Sequence, residues 1–312
     1  MKKNLDKNAL AKRSKLKADL GYLLMVSPGL LVLLIWQYLP MGGLVIAFKD
    51  YSYRKGIFGS DWVGFENFRN FFASKNFGIL LRNTIGYNLL FLFTVNVLAG
   101  AVMALLLYEV RSKKAEKFYN TAMILPNFIS FVIVGYIVLT FLNPTSGVIN
   151  TVIRQFGGEG IEWYSEPKYW PYILEFVEVW KNAGMASLYY YAALLSIDSS
   201  LFEAAELDGA GRIRQLWHIS VPEMIPMIVV VIIIRLGSIL GGDWGLYYQV
   251  PMNQAALYST TDVFSTYLYR GLVNGSIAQN TAIGLFSSVA GLVTILISNT
   301  FVKKIDPSKA VF

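Results

Sequence analysis

The chain has 312 residues, 55% of them apolar and only 15% charged, with a mean hydropathy of +0.48. Soluble domains carry about 25% charged residues, so this composition belongs in a membrane. The lack of cysteine and the single histidine, His218, exclude disulfides, thiolate chemistry and a multi-histidine metal site. The net charge of +7 does not call for nucleic acid, because the basic residues gather at the ends of apolar runs, as topology signals do.

The first 18 residues hold seven Lys or Arg. The apolar run after them lacks a small-residue cleavage pattern and exceeds the core of a signal peptide, so it reads as an uncleaved first span. Crossing the hydrocarbon takes about 20 mostly apolar residues. Six segments qualify: Gly21 to Phe48, Ile79 to Tyr108, Phe118 to Leu142, Trp170 to Ser196, Ile219 to Leu240 and Thr281 to Val302. Each is expected to be helical, since a lone strand leaves backbone groups unpaired in lipid. The organisation expected is a basic tail (1–20), a membrane domain (21–302) and a short tail (303–312). With six spans both termini share one side. The tails and the 109–117 and 197–218 loops carry 16 Lys or Arg against eight on the other side, which places both termini in the cytoplasm.

Among the outer loops, the segment from Trp62 has Phe65, Phe68 and Phe72 at helical spacing, as expected of a helix lying in the interface. Asn143-Pro-Thr-Ser-Gly reads as a turn. In the fourth span Glu175, Glu178, Asn182 and Tyr189 form one helical stripe. Intramembrane charges face protein or a water-filled cavity, so two readings stand. The stripe, with Tyr190, contacts a polar substrate. Or it makes internal contacts: Glu178 with Lys181, and Arg235 with Glu175 or Glu178. A third reading uses Glu175, Glu178 and Lys181 as the proton relay of an ion-coupled carrier, although no internal repeat of the kind such carriers show is visible. Trp180, Tyr189, Tyr190 and Tyr191 suit either sugar stacking or packing. Trp244, Tyr247 and Tyr248 suit an aromatic belt.

Between the fourth and fifth spans, Glu203 to Pro222 is polar yet patterned. Ser200 and Glu203 have the spacing of a capping box. Leu201, Ala204 and Ala205 share a face, Gly209 can end the helix, and a second short helix carries Ile213, Leu216 and Trp217. Pro222 suits the start of the next span. A loop this structured predicts a docking surface, with Glu203 either capping its own helix or presented to a basic partner. No Gly-Lys dipeptide and no Gly-x-Ser-x-Gly occurs, so neither ATP hydrolysis nor acyl transfer is expected of this chain.

Glu203, Ala204, Ala205, Gly209, Ile219 and Pro222 resemble the EAA loop of ABC importer permeases, with Val221 where leucine is usual. Asp208-Gly-Ala resembles the carbohydrate branch. Trp62-Val-Gly-Phe-Glu-Asn-Phe, Leu125-Pro126, Asn143-Pro144…Gly147…Asn150 and Asp262 to Arg270 are similar to sugar permeases, the last to those for complex or acidic oligosaccharides. The resemblance implies an all-α, six-helix half of a type I importer in a bacterial cell membrane. It implies a second, non-identical permease, two ATPase subunits that bind ATP and Mg, and an extracytoplasmic sugar-binding protein. The chain itself would hold no cofactor, would contact lipid and would bind no nucleic acid. Glu203, Ala204, Ala205, Asp208 and Gly209 would couple to the ATPase, Glu203 through an arginine there. Arg82, Lys181 and Arg235 fit an acidic saccharide and internal ion pairs equally well.

Overall fold

The computed structural model describes residues 20–275 and 277–305. The basic tail (but for Leu20) and residues 306–312 lie outside the described residues. The chain clusters into a small unit, reaching to Phe68 and including Ile277–Ala282, and a larger one of Arg69–Ser276 with the chain from Ile283.

In the small unit, α1 (Leu20–Phe48) exposes almost all its apolar side chains, which lipid covers at no cost. Pro40 withholds an N–H, and from Leu39 to Phe48 the helix tightens to 3₁₀ geometry. The chain then forms a two-residue hairpin, β1 (Lys49–Asp50) against β2 (Asp61–Trp62). Phe48 packs against the rings of Trp62, Phe65 and Phe68 at 5.4–5.7 Å. Phe65 precedes α2 (Glu66–Phe72), and Phe72 meets Phe77 instead, so the three phenylalanines do not act as one interfacial face.

In the larger unit, α3 (Lys75–Tyr108) is long and apolar enough to cross a membrane, as are α1 and two helices further on. The third expected span, Phe118 to Leu142, is not one straight helix. It breaks into α4 (Lys113–Ile124), continued by a 3₁₀ turn to Phe128, and α5 (Phe131–Leu142), which is bent from it by 92°. Pro126 cannot donate to the ladder, and Ile129 and Ser130 turn extended. The Ser130 hydroxyl then accepts from the Ile133 N–H and starts α5. The expected turn follows: Asn143 Oδ1 accepts from the N–H groups of Thr145 and Ser146. Beyond it lies α6 (Val148–Gln155), whose buried Asn150 ties the loop together through Pro144, Ile161 and Trp163.

α7 (Trp170–Leu195) is the helix around which the larger unit packs. Its 26 residues reach about 39 Å. Ala183, Gly184, Ala186 and Ser187 lie on its buried face, and Gly100 and Ala104 of α3 are buried opposite. In lipid, where apolar burial between helices gains little, such small residues let backbones approach. The Tyr190 hydroxyl donates to the Asn96 carbonyl at 2.6 Å. Lys181, 5% exposed, donates to the carbonyls of Pro126, Asn127 and Ile129 at the break. Gly184, one turn on, brings α7 against the Met123 carbonyl: a Cβ there would lie 1.9 Å from that oxygen.

α8 (Ser199–Leu207) leads to α9 (Arg212–Gly237). The second short helix expected at Ile213 is the first turn of α9, continuous with the fifth span through a widened π turn at Leu216–Ser220 that ends just before Pro222. After α10 (Trp244–Gln249) and α11 (Phe264–Val273) comes α12 (Ile277–Ile305). α9 and α12 complete the four helices that are long and apolar enough to cross, and the bent pair makes a fifth candidate. α7 is as long as α9 but less apolar, since it carries Glu175, Glu178, Lys181, Asn182 and several tyrosines.

The contact at Gly184 predicts a measurable asymmetry. Gly184→Ala should destabilise by about 1–3 kcal/mol or more, because backbone must move. Gly86→Ala, with nothing within 4 Å, should be neutral or slightly stabilising. Thermal unfolding of the detergent-purified protein, followed by size-exclusion, would show it, and equal shifts for the two variants would contradict this packing.

Candidate functional site

Two places concentrate the chemistry, and both lie in the larger unit. The first is the exposed corner at α8. Its N-cap is Asp198, not Ser200: the Asp198 carboxylate accepts from the Ser200 N–H at 2.9 Å. Hydrogen bonds from the Ser200 backbone and hydroxyl hold the Asp198 carboxyl below its ordinary range. An aspartate two residues earlier wins because Ile197 ends the preceding turn and leaves Asp198 extended, at φ −65° and ψ 124°. The expected capping box is therefore absent. Glu203 lies inside the helix with its carboxylate exposed, and Ala204 is exposed beside it.

The end of α8 is as expected. Gly209 takes φ +76°, Ala210 donates to the Ala205 carbonyl at 2.8 Å, and Gly209 donates to that of Glu206 at 3.0 Å. This is the doubly bonded Schellman ending, with Asp208 as the last residue before the glycine. The corner also presents apolar side chains to its surroundings: Leu207 is 90% exposed and Ile213 77%. Phe202 packs on Tyr108 at the end of α3, and Arg212 pairs with Glu109 at 3.2 Å. Side-chain contacts thus join the corner to α3, and short chain segments join it to α7 and α9.

The second place is a cavity of about 470 Å³ walled by α3, the break after α4, α7, α9 and the start of α10. Glu178, Asn182 and Tyr189 of the expected stripe line it. Glu175 and Tyr190 are not among its lining residues. Tyr190 is fully buried against α3, and one carboxylate oxygen of Glu175 is buried without a hydrogen-bond partner among the described residues. Tyr190 turns toward α3, whereas Glu175 shares the face of Glu178 and Asn182 and lies a turn nearer the start of α7, beyond the residues that line the cavity. Trp180 lines an apolar groove with Phe176 and Ile137, and the Tyr191 hydroxyl donates to Glu116. Tyr247 joins the cavity wall, whereas Trp244 stacks on Tyr269 at 4.7 Å beside Tyr248.

Asn88, Asn96, Asn127, Arg235, Ser238 and Asp243 complete the polar lining, and sequence reading missed the three asparagines, Ser238 and Asp243. The signal was present: an amide inside an apolar span needs partners. Asn127 donates to Asn182 Oδ1 at 2.7 Å. Asn96 donates to the Phe91 carbonyl five residues back, within a π-helical stretch at Leu92–Ala99 that widens α3 at the cavity wall. Asp243 caps α10 by accepting from Gly245 N–H at 2.8 Å.

The internal pairs expected for the stripe do not form. Among the described residues no ion pair joins Glu178 to Lys181, or Arg235 to Glu175 or Glu178. Lys181 is occupied by three carbonyls and sits over the Phe131 ring at 4.8 Å, so it is not placed as a relay for Glu178. Arg82 is held by Asn83 and the Ser259 carbonyl.

Residues 96–311 match the family described as binding-protein-dependent transport system inner membrane component. Protein LplB of Bacillus subtilis (strain 168) is 39% identical over 295 residues, covering 93% of this chain and 91% of LplB. The polygalacturonan/rhamnogalacturonan transport system permease protein YteP of the same strain is 37% identical over 285 residues, covering 90% and 87%. A chain from the crystal structure of a bacterial alginate ABC transporter in complex with alginate pentasaccharide-bound periplasmic protein matches with a TM-score of 0.82 at 35% identity, over 94% of this chain and 97% of that one. The chain spans nearly the full length of each of these relatives. The chain belongs to the inner membrane component family of binding-protein-dependent transport systems, and is a transport subunit, not an enzyme.

Proposed function

We propose that this chain is one half of the translocation path of an ATP-driven importer of oligosaccharides. The observation that carries this reading is the union of a rigid exposed corner and an amide-rich cavity in one packed unit. The names of YteP and of the alginate transporter support a saccharide as cargo. Sugars present hydroxyls in the ring plane and C–H groups on the faces. Asn88, Asn96, Asn127, Asn182 and Glu178 suit the first, and Tyr189 and Tyr247 the second.

In this reading the membrane domain runs from 21 to 302 between two cytoplasmic tails. It crosses six times, with the bent pair as the third crossing and α7 as the fourth. The excess of Lys and Arg puts α8 in the cytoplasm. Two ATPase subunits there hold ATP and Mg, and one receives the corner. A second, non-identical permease completes the path, and an extracytoplasmic binding protein delivers the sugar. Glu203 offers its exposed carboxylate to a basic residue of the ATPase, while Ala204 and Ala205 leave a low flank that can enter a cleft. Asp208 and Gly209 fix the turn.

Closure of the ATPase pair would move α8, and the short link at Ser196–Asp198 would pass that movement to α7 and the cavity wall. A partner can shift the inward–outward equilibrium only through its different affinity for the two states. A corner that flexed would lose that difference, so a capped and Schellman-ended α8 suits the task.

Two outcomes are expected in proteoliposomes holding the assembled transporter and binding protein. Glu203→Lys should cut uptake and binding-protein-stimulated ATP hydrolysis at least about tenfold, the scale of a reversed charge-assisted contact, while the protein still inserts. Gly209→Val should act likewise, because a β-branched residue resists φ +76°. Intact coupling in both would refute the docking role. Separately, Tyr189→Ala and Asn182→Ala should raise the KM for saccharide uptake several-fold while the basal ATPase rate without binding protein is kept. Unchanged KM in both would remove the cavity from the path.

A further inference from the structure

Arg82, Lys181 and Arg235 are the basic side chains that fall inside the apolar segments expected to cross. The structure sorts them. Arg82 donates to Asn83 Oδ1 at 3.0–3.1 Å and to the Ser259 carbonyl. Lys181 donates to three carbonyls at the helix break. Arg235 lies in the last turn of α9 and is the basic residue lining the cavity. Among the described residues its guanidinium makes no hydrogen bond and no ion pair. A guanidinium at membrane depth is costly unless it faces water or meets an anion, and its planar fork matches a carboxylate in two parallel bonds.

We propose that Arg235 reads the carboxylate of an anionic saccharide, a uronate unit, as it passes through the cavity; this rests on the saccharide-importer reading above. The other charged groups in the wall are Glu178 and Asp243, and Asp243 is engaged at the start of α10. In their ionised forms both carboxylates repel an anion. Preference for a charged sugar must therefore come from Arg235, and Glu178 must oppose it. That gives the two residues opposite signs in one measurement.

The test uses the assembled transporter with its binding protein in proteoliposomes. Initial uptake of a trigalacturonide is compared, as free acid and as full methyl ester, which keeps the rings and removes the charge. The same binding protein serves every variant, so its own preference cancels when acid-to-ester ratios are compared. Arg235→Gln should lower the ratio about tenfold or more, the scale of a hydrogen bond between charged groups. Arg235→Lys keeps the charge but not the planar fork, so its ratio should lie between those of the unaltered transporter and Arg235→Gln, which separates lost charge from lost folding. Glu178→Gln should raise it. An unchanged ratio in Arg235→Gln would overturn the proposal and leave the importer reading standing. A fall in Glu178→Gln matching that in Arg235→Gln would also overturn it, since Arg235 would then serve only as a counter-ion to Glu178. If the unaltered transporter moves neither trisaccharide, the oligouronide reading fails along with it.

Discussion

The larger unit depends on how the carbonyls at one broken helix are satisfied. Backbone oxygens away from water need donors, and a helix that stops inside a membrane protein exposes several. Pro126 and the extended Ile129 and Ser130 create that stop. Lys181 answers it with one ammonium on the carbonyls of Pro126, Asn127 and Ile129. A cation at a helix C-terminus also meets the negative end of the dipole. Gly184, one turn along α7, supplies the space that lets the helix come so near. One residue contributes charge and the other the absence of a side chain.

The cavity follows from that junction. With α7 held against the break, Asn127 reaches Asn182 from the far side, and the cavity opens between the break, α3 and α9. The π-helical stretch of α3 turns Leu92 and Asn96 into the same wall. π turns cost hydrogen-bond geometry and tend to persist where function needs them. Here the Asn96 amide compensates by donating to the Phe91 carbonyl. The result is a wall rich in amides, which can donate and accept toward a polar solute without fixing a charge.

The corner at α8 is stiff for local reasons, and its links to the rest are uneven. The Glu109–Arg212 ion pair is half exposed on both sides, and such pairs contribute about 0–1 kcal/mol. The Phe202–Tyr108 contact and the continuity of the corner with α9 do more to fix it. The widened turn at Leu216–Ser220 is a further point where α9 departs from regular geometry, close to the corner. Motion carried by α8 would thus enter the bundle through short covalent links more than through surface charge.

Composition and periodicity alone determined the membrane class, the apolar segments and the Gly209 turn, and resemblance to a known loop identified the motif at Glu203. These are local properties: a 20-residue apolar run, or a glycine able to take positive φ, needs no distant partner to be recognised. The same local rules misplaced the cap at Ser200, since Asp198 two residues earlier offers an equally good acceptor and only the end of the preceding turn decides between them. They drew one span through Phe118 to Leu142, because a proline in an apolar run does not reveal whether the helix kinks or stops. They grouped Glu175 and Tyr190 with Glu178 and Asn182, although the cavity ends short of Glu175 along α7 and Tyr190 turns to α3. Tertiary structure decided which cations are bound to carbonyls and which one faces the cavity. That follows from where distant carbonyls of Ser259, Pro126 and Ile129 come to lie, and no window of sequence around Arg82, Lys181 or Arg235 contains it.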